Sequence, residues 1–113
     1  MPGSIERTNG AAAYRRAAAS SVLKPVNSVA PSISGTLTVG STLTAAAGTW
    51  SNTPTYEYQW LRAGAVISGS TAATHLLVIG DSGSAISVRV TAVSSGGFRS
   101  ETVTSAATDA ITE

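Results

Sequence analysis

The sequence predicts an all-β fold, an antiparallel β-sandwich of two sheets that follows an extended, partly helical N-terminal arm. Short runs of alternating apolar and polar residues recur after residue 30, with Gly, Ser or Asn between them, as in sandwiches built from short strands. Abundant Ser, Thr and Val suit sheets with one solvated face, and a composition that is 42% hydrophobic and 12% charged, with 11 glycines, suits a soluble, turn-rich fold. We therefore divide the chain into an arm, residues 1–30, and a sandwich, residues 31–113.

The arm has too little bulky apolar content to form a core of its own. Residues 11–19 are almost all good helix formers, although a helix of this length is marginal in water without a partner surface. Residues 20–30 are predicted to be an extended linker, in which Pro25 fixes the local backbone direction.

An aromatic run is the predicted central strand of the sandwich. Tyr56, Tyr58 and Trp60 occupy every second position, so an extended backbone places them on one face. Aromatic side chains bury more apolar area than the other residues available here. This face is therefore expected to pack against the core.

The other strands follow from turn signals and alternation. Gly64 is placed for a hairpin turn, and the cleanest alternation puts Ile86, Val88 and Val90 on one face. The core is predicted to contain Tyr58, Trp60, Ile86, Val88 and Val90. In chain order the predicted strands are residues 32–34, 36–39, 41–46, 55–63, 66–67, 75–79, 86–92 and 101–111.

A series of motifs, specific as a set, runs through the sandwich region. It reads Pro31-x-Ile33-Ser34-Gly35, Val39-Gly40-Ser41-Thr42-Leu43-Thr44, Gly48-Thr49-Trp50, Tyr56-x-Tyr58-Gln59-Trp60-Leu61-Arg62-x-Gly64, Ile67-Ser68-Gly69 and Asp81-x-Gly83-x-x-Ile86-Ser87-Val88-Arg89-Val90-Thr91-Ala92. In this combination the region resembles the immunoglobulin-like modules of bacterial surface proteins and phage virion proteins. The resemblance implies an immunoglobulin-like sandwich over about residues 31–111, with Trp60 packed between the sheets.

The resemblance also carries the functional expectation. Modules of this family are mostly non-catalytic spacers, adhesion units, or capsid and tail decorations. A single module behind a basic arm predicts a phage virion structural protein, a capsid decoration or a collar or tail accessory. The protein would be made in the host cytoplasm. Residues 1–30 would dock it on the major capsid protein or another virion protein. It could also form a homo-oligomer on the particle. The alternative is a carbohydrate-binding adhesion module at a bacterial cell surface.

Charge distribution supports a contact made by the arm. Residues 1–30 carry four basic residues against one acidic residue, whereas residues 31–113 carry three basic against five acidic. This split predicts that the arm meets an acidic surface, and a solvated tail is the open alternative. Scattered basic residues without interleaved aromatics do not indicate nucleic-acid binding. The predicted anchoring residues are Arg7, Tyr14, Arg15, Arg16 and Lys24.

No catalytic, cofactor or metal site is predicted. The chain has no Cys and a single histidine, His75, which we interpret as a strand residue rather than a base or ligand. Asp81 is expected to bond nearby backbone amides in a turn. The weakly polar run at residues 11–19 contains two arginines, so it predicts neither a membrane span nor a signal peptide. Trp50 is predicted to be a lid over one end of the core, with a sugar-stacking platform as the alternative.

Overall fold

The computed structural model describes residues 23–52, 55–94, 96 and 99–113. Within these ranges the chain forms nine strands, all paired antiparallel, and a single 3-10 turn at Ile79–Asp81. The described residues contain no apolar helix long enough to cross a bilayer. The strands are β1 (Val26–Val29), β2 (Ser32–Ser34), β3 (Thr42–Ala46), β4 (Thr49–Ser51), β5 (Thr55–Arg62), β6 (Ala65–Val66), β7 (Thr74–Leu76), β8 (Ile86–Val93) and β9 (Ser100–Thr104).

Two sheets share one core in a sandwich-like arrangement. One has the strand order β2-β3-β7 and the other β6-β5-β8-β9, while β1 and β4 form a separate two-stranded sheet. Side chains from both larger sheets belong to one buried cluster. Each sheet thus removes its apolar face from water by packing on the other. The predicted all-β, antiparallel class is confirmed.

The core lies where the two clearest alternating runs meet. β5 and β8 pair with Tyr58 opposite Val90 and Trp60 opposite Val88, so their apolar faces coincide. Trp60, Ile86, Val88 and Val90 are each 0% exposed, and Tyr58 is half-buried against the same cluster. Trp60 is thus the largest side chain of a core built from both sheets.

Three of the predicted strands differ from the structure, one because it is absent and two because they end early. Residues 36–39 form no strand, and Thr38 makes only an isolated bridge to Thr112. The strand predicted at residues 75–79 ends at Leu76. It ends early because the Asp81 carboxylate accepts a hydrogen bond from the Val78 amide at 3.0 Å, which stabilises a 3-10 turn in place of further sheet.

The last predicted strand, residues 101–111, is also too long, since β9 ends at Thr104. Beyond that residue the chain still follows β8, but side-chain hydroxyls replace main-chain carbonyls as acceptors. Ser105 Oγ accepts from the Val88 amide at 3.1 Å, and Thr108 Oγ1 accepts from the Ile86 amide at 3.0 Å. This substitution ends regular pairing while keeping the amides of β8 hydrogen-bonded.

The linker predicted at residues 20–30 contains a strand, and this part of the prediction is wrong. β1 pairs with β4, with Asn27 opposite Trp50. The Asn27 side chain donates to the carbonyls of Val29 at 2.8 Å and Thr49 at 3.1 Å, which holds the short pair together. Residues 26–29 read Val-Asn-Ser-Val, which does not alternate apolar and polar side chains, so the sequence pattern did not indicate β1. The helix predicted at residues 11–19 lies outside the described residues.

Candidate functional site

The junction between the N-terminal segment and the β-structure is the first candidate site. Lys24, one of the predicted anchoring residues, forms an ion pair with Glu101 of β9, with Nζ 2.7 Å from Oε1. The Asn52 side chain donates to the Lys24 carbonyl at 2.6 Å, and Pro25 is buried. These contacts attach residue 24 to the β-structure. The ion pair adds little stability, because both of its side chains are at least a third exposed.

The surface around this junction is apolar and open. Leu23 is 52% exposed, and Val26 and Val29 of β1 are 59% and 56% exposed. A groove of about 410 Å³ lies beside them, lined by residues 24–27 together with Glu101 and Val103. The segment before residue 23 carries three Arg and one Glu, a net charge of +2. The other predicted anchoring residues, Arg7, Tyr14, Arg15 and Arg16, lie outside the described residues.

Trp50, the candidate glycan contact, is engaged by its own domain. Its indole Nε1 donates to the Ala47 carbonyl at 2.7 Å, and its ring centroid lies 6.4 Å from that of Tyr56 at an interplanar angle of 53°. The side chain is half-buried and packs against the core cluster. Sugar stacking requires a free ring face, so these contacts favour the lid over the platform. Glycan binding by Trp50 stays a prediction.

A buried polar network, which sequence reasoning missed, lies at the other end of β5. Asp81 is 0% exposed and accepts from Arg62 Nε at 2.7 Å and from the Val78 amide at 3.0 Å. Its Oδ2 lies 3.0 Å from His75 Nε2, and Ser70 Oγ lies 2.8 Å from His75 Nδ1. The network joins β5, the loop after β6, β7 and the 3-10 turn.

The electrostatics of Asp81 follow from these contacts. Burial is the largest single effect and would raise the pKa of Asp81. The hydrogen bond from Val78, those from Arg62 and His75, and the charge of Arg62 together outweigh burial and lower the pKa below its ordinary value. The carboxylate is therefore ionised at neutral pH. Since a carboxylate can only accept, His75 Nε2 carries the hydrogen in this pair.

The residue types Ser70, His75 and Asp81 are those of a hydrolase triad, but their arrangement differs from that template. His75 directs Nδ1 to the serine and Nε2 to the aspartate, the reverse of the template order. Its ring stacks on Trp60, with centroids 5.5 Å apart and planes inclined by 26°, and it is only 9% exposed. This geometry suits a network that holds β5, β7 and the 3-10 turn together.

Sequence spacing offered almost no signal for this network. Its members are separated by 5, 6 and 19 residues, and no single helical or strand period produces all three separations. The one usable signal was Asp81 in a turn, and its predicted hydrogen bond to a nearby amide is confirmed by Val78. The described residues hold no group of three or more His, Cys, Asp or Glu side chains that could bind a metal ion.

The outer face of the four-stranded sheet carries a second, polar groove. It has a volume of about 510 Å³ and is lined by Tyr56, Glu57, Tyr58, Gln59, Thr71, Arg89 and Thr91. Glu57 lies opposite Thr91, and Gln59 opposite Arg89. The groove therefore contains one acidic and one basic side chain, so its charge favours neither an anionic nor a cationic ligand. This arrangement is typical of a solvated sheet face.

The chain matches no protein-family model, no curated protein and no solved structure.

Proposed function

We propose that this chain is a non-enzymatic structural protein of a phage virion. In this proposal it is a capsid decoration, or a collar or tail accessory, that docks through its N-terminal segment and projects an immunoglobulin-like domain. The observation that carries the proposal is the junction at residues 23–29. There β1 and the Lys24–Glu101 ion pair attach a segment of net charge +2 to one end of the β-structure.

The strand order supports the immunoglobulin-like part of the proposal. If β2, β3 and β7 are strands A, B and E, and β6, β5, β8 and β9 are strands C′, C, F and G, the two sheets follow an immunoglobulin-like order. Trp60 on the strand equivalent to C is fully buried between the sheets, as the resemblance implies. A domain of this kind supplies a rigid projecting body, and fold alone does not supply the function.

The junction also refines where the docking segment ends. Residues 26–29 belong to the β-structure through β4, and the backbone at Lys24 is held by the Asn52 side chain, so neither is part of a free tail. The docking residues are then those before residue 23, including Arg7, Arg15 and Arg16. The exposed apolar side chains of Leu23, Val26 and Val29 follow this segment in the chain and would enlarge its contact with a particle, as a segment that orders on docking requires.

Co-sedimentation with particles of the encoding phage, prepared without this protein, tests the proposal. The full chain should bind, while a chain beginning at residue 23 should keep its melting temperature and lose binding. Arg15→Ala with Arg16→Ala should weaken binding, and the matched charge removal Arg89→Ala with Arg99→Ala should not. Undiminished binding by the truncated chain would refute docking by the leading segment. Absence of the protein from purified virions would refute the virion assignment itself.

A further inference from the structure

In the part of the chain that the structure describes, no strand pairs with the outer edge of β7, the edge that faces away from β3. Its hydrogen bonds to β3 come from alternate residues: the Ala45 amide donates to the Ala73 carbonyl at 2.8 Å, and the Leu77 amide to the Ser41 carbonyl at 2.9 Å. Antiparallel alternation then turns residue 75 toward β3 as well. The backbone N–H and C=O groups of Thr74 and Leu76 therefore point away from β3. Among the described residues, β7 is the last strand on this side of its sheet.

This edge is short, at three residues, but it lacks charge and proline, two of the devices that normally prevent strand-to-strand association. β9 carries Glu101 with its Lys24 partner, β6 has two residues, and β2 follows Pro31. Residues 71–80 contain no Lys, Arg, Asp, Glu or Pro. The only titratable side chain within them, His75, is buried and held by Ser70 and Asp81.

The side chains next to this edge are apolar and open to solvent. Leu76 is 56% exposed, Val78 is 45% exposed and Ile79 is 65% exposed. A groove of about 390 Å³ runs along the same edge and is lined by residues 67–72 and by Thr74, His75, Leu76 and Val78. Arg62 also lines it, and this side chain is paired with Asp81. An occupant of this edge must supply extended backbone for hydrogen bonding and uncharged side chains for Leu76 and Val78.

We propose that the occupant is β7 of a second copy of this chain, paired antiparallel across a two-fold axis. The register that satisfies all the outward groups places Thr74 opposite Leu76 of the partner subunit, and Leu76 opposite Thr74 of the partner subunit. Each pair then exchanges both backbone hydrogen bonds. The strand is uncharged, so it meets itself without like-charge repulsion, and the contact is isologous. The three-stranded sheet of each subunit becomes half of a continuous six-stranded sheet.

The contact is small, because β7 has only three residues. It falls below the interface size of stable complexes, so the dimer forms at high protein concentration and dissociates on dilution. The proposal is independent of the virion assignment, since it concerns only what two copies do in solution.

Sedimentation velocity of the full chain over a concentration series tests the pairing. The weight-average mass should rise toward that of a dimer with concentration. Leu76→Lys should weaken association by about tenfold or more, since it places charge on the shared edge. The matched control Val26→Lys, at an equally exposed apolar position on β1, should leave association unchanged. A chain that stays monomeric at every concentration overturns the proposal. So does loss of association in Val26→Lys, whether or not Leu76→Lys also loses it.

Disulfide trapping tests the register, and the absence of Cys from the chain removes any background. Chains carrying Thr74→Cys and Leu76→Cys are mixed and oxidised. In the proposed register their Cα atoms lie about 5.5 Å apart, within the range of about 4.4–6.8 Å that disulfides span. The mixed dimer should form faster than either homodimer. Homodimers of either variant forming as fast as the mixed dimer would overturn this register.

Discussion

Replacing Asp81 by alanine removes the centre of the buried polar network. The carboxylate is 0% exposed and is contacted by Arg62 at 2.7 Å, by the Val78 amide at 3.0 Å and by His75 at 3.0 Å. After the substitution, all three donors lose their acceptor. Arg62 is 36% exposed and can turn toward water, whereas His75 is enclosed.

The size of the stability loss follows from the environments of Arg62 and His75. Breaking a buried ion pair by removing one partner costs about 3–5 kcal/mol, and access of Arg62 to solvent reduces that cost. The two other donors, one on His75 and one on the Val78 amide, add about 1–3 kcal/mol each when left unsatisfied. Because Arg62 can reach water, the two enclosed donors set most of the cost, and the middle of their combined range gives a loss in the free energy of unfolding of about 3–5 kcal/mol for Asp81→Ala. In a domain of this size that loss corresponds to a fall of at least about 12 °C in Tm.

Urea unfolding followed by tryptophan fluorescence measures the effect, because Trp60 stacks directly on His75. Asp109→Ala is the matched control, since it removes the same side chain from an exposed position, and it should change stability by less than about 0.5 kcal/mol. A double-mutant cycle with Arg62→Gln should show a coupling energy of about 1 kcal/mol or more. A loss below about 1 kcal/mol for Asp81→Ala would refute the view that this network locks the strands together.

Three further predictions concern pH, the core and the N-terminal sheet. The lowered pKa of Asp81 contributes stability that is fully present above the pKa of the unfolded chain, about 3.9, and that is lost as the pH falls through the folded pKa. Asp81→Asn should therefore flatten the acid side of a plot of stability against pH. An unchanged acid side would contradict the assignment. Trp60→Ala should cost about 3–5 kcal/mol in urea unfolding, whereas a cost near that of a surface change would place the core elsewhere. Gly48 has a φ of +88°, and a Cβ there would meet the Val29 carbonyl oxygen. Gly48→Ala should therefore displace β1 and lower the free energy of unfolding by about 1–3 kcal/mol. Amide protection against hydrogen exchange should be lost only in β1 and β4, and a uniform loss would argue against a separate two-stranded sheet.

The parts of the fold that the sequence predicted well are those with local periodicity. Alternating apolar residues placed β5 and β8 within one residue of their observed ends. Period-two alternation survives in the sequence because each strand needs one apolar face, whatever its partner. The predicted strand ends were wrong where a side chain replaced a backbone carbonyl as the hydrogen-bond acceptor. This happens at Asp81 and at Ser105 and Thr108. No periodic pattern encodes those substitutions.

By itself, the sequence determined the all-β class, the aromatic strand around Trp60 and the uneven charge of the chain. Tertiary structure alone decided that Val26–Val29 pairs with Thr49–Ser51, that Arg62, His75 and Asp81 meet in one buried network, and that β7 lies at a sheet edge. The physical reason is the distance along the chain over which each feature is set. Periodicity is local, and it reports which face of a strand avoids water. Strand neighbours and buried ion pairs are instead set by contacts between residues far apart in the chain, and their spacing leaves no local signature.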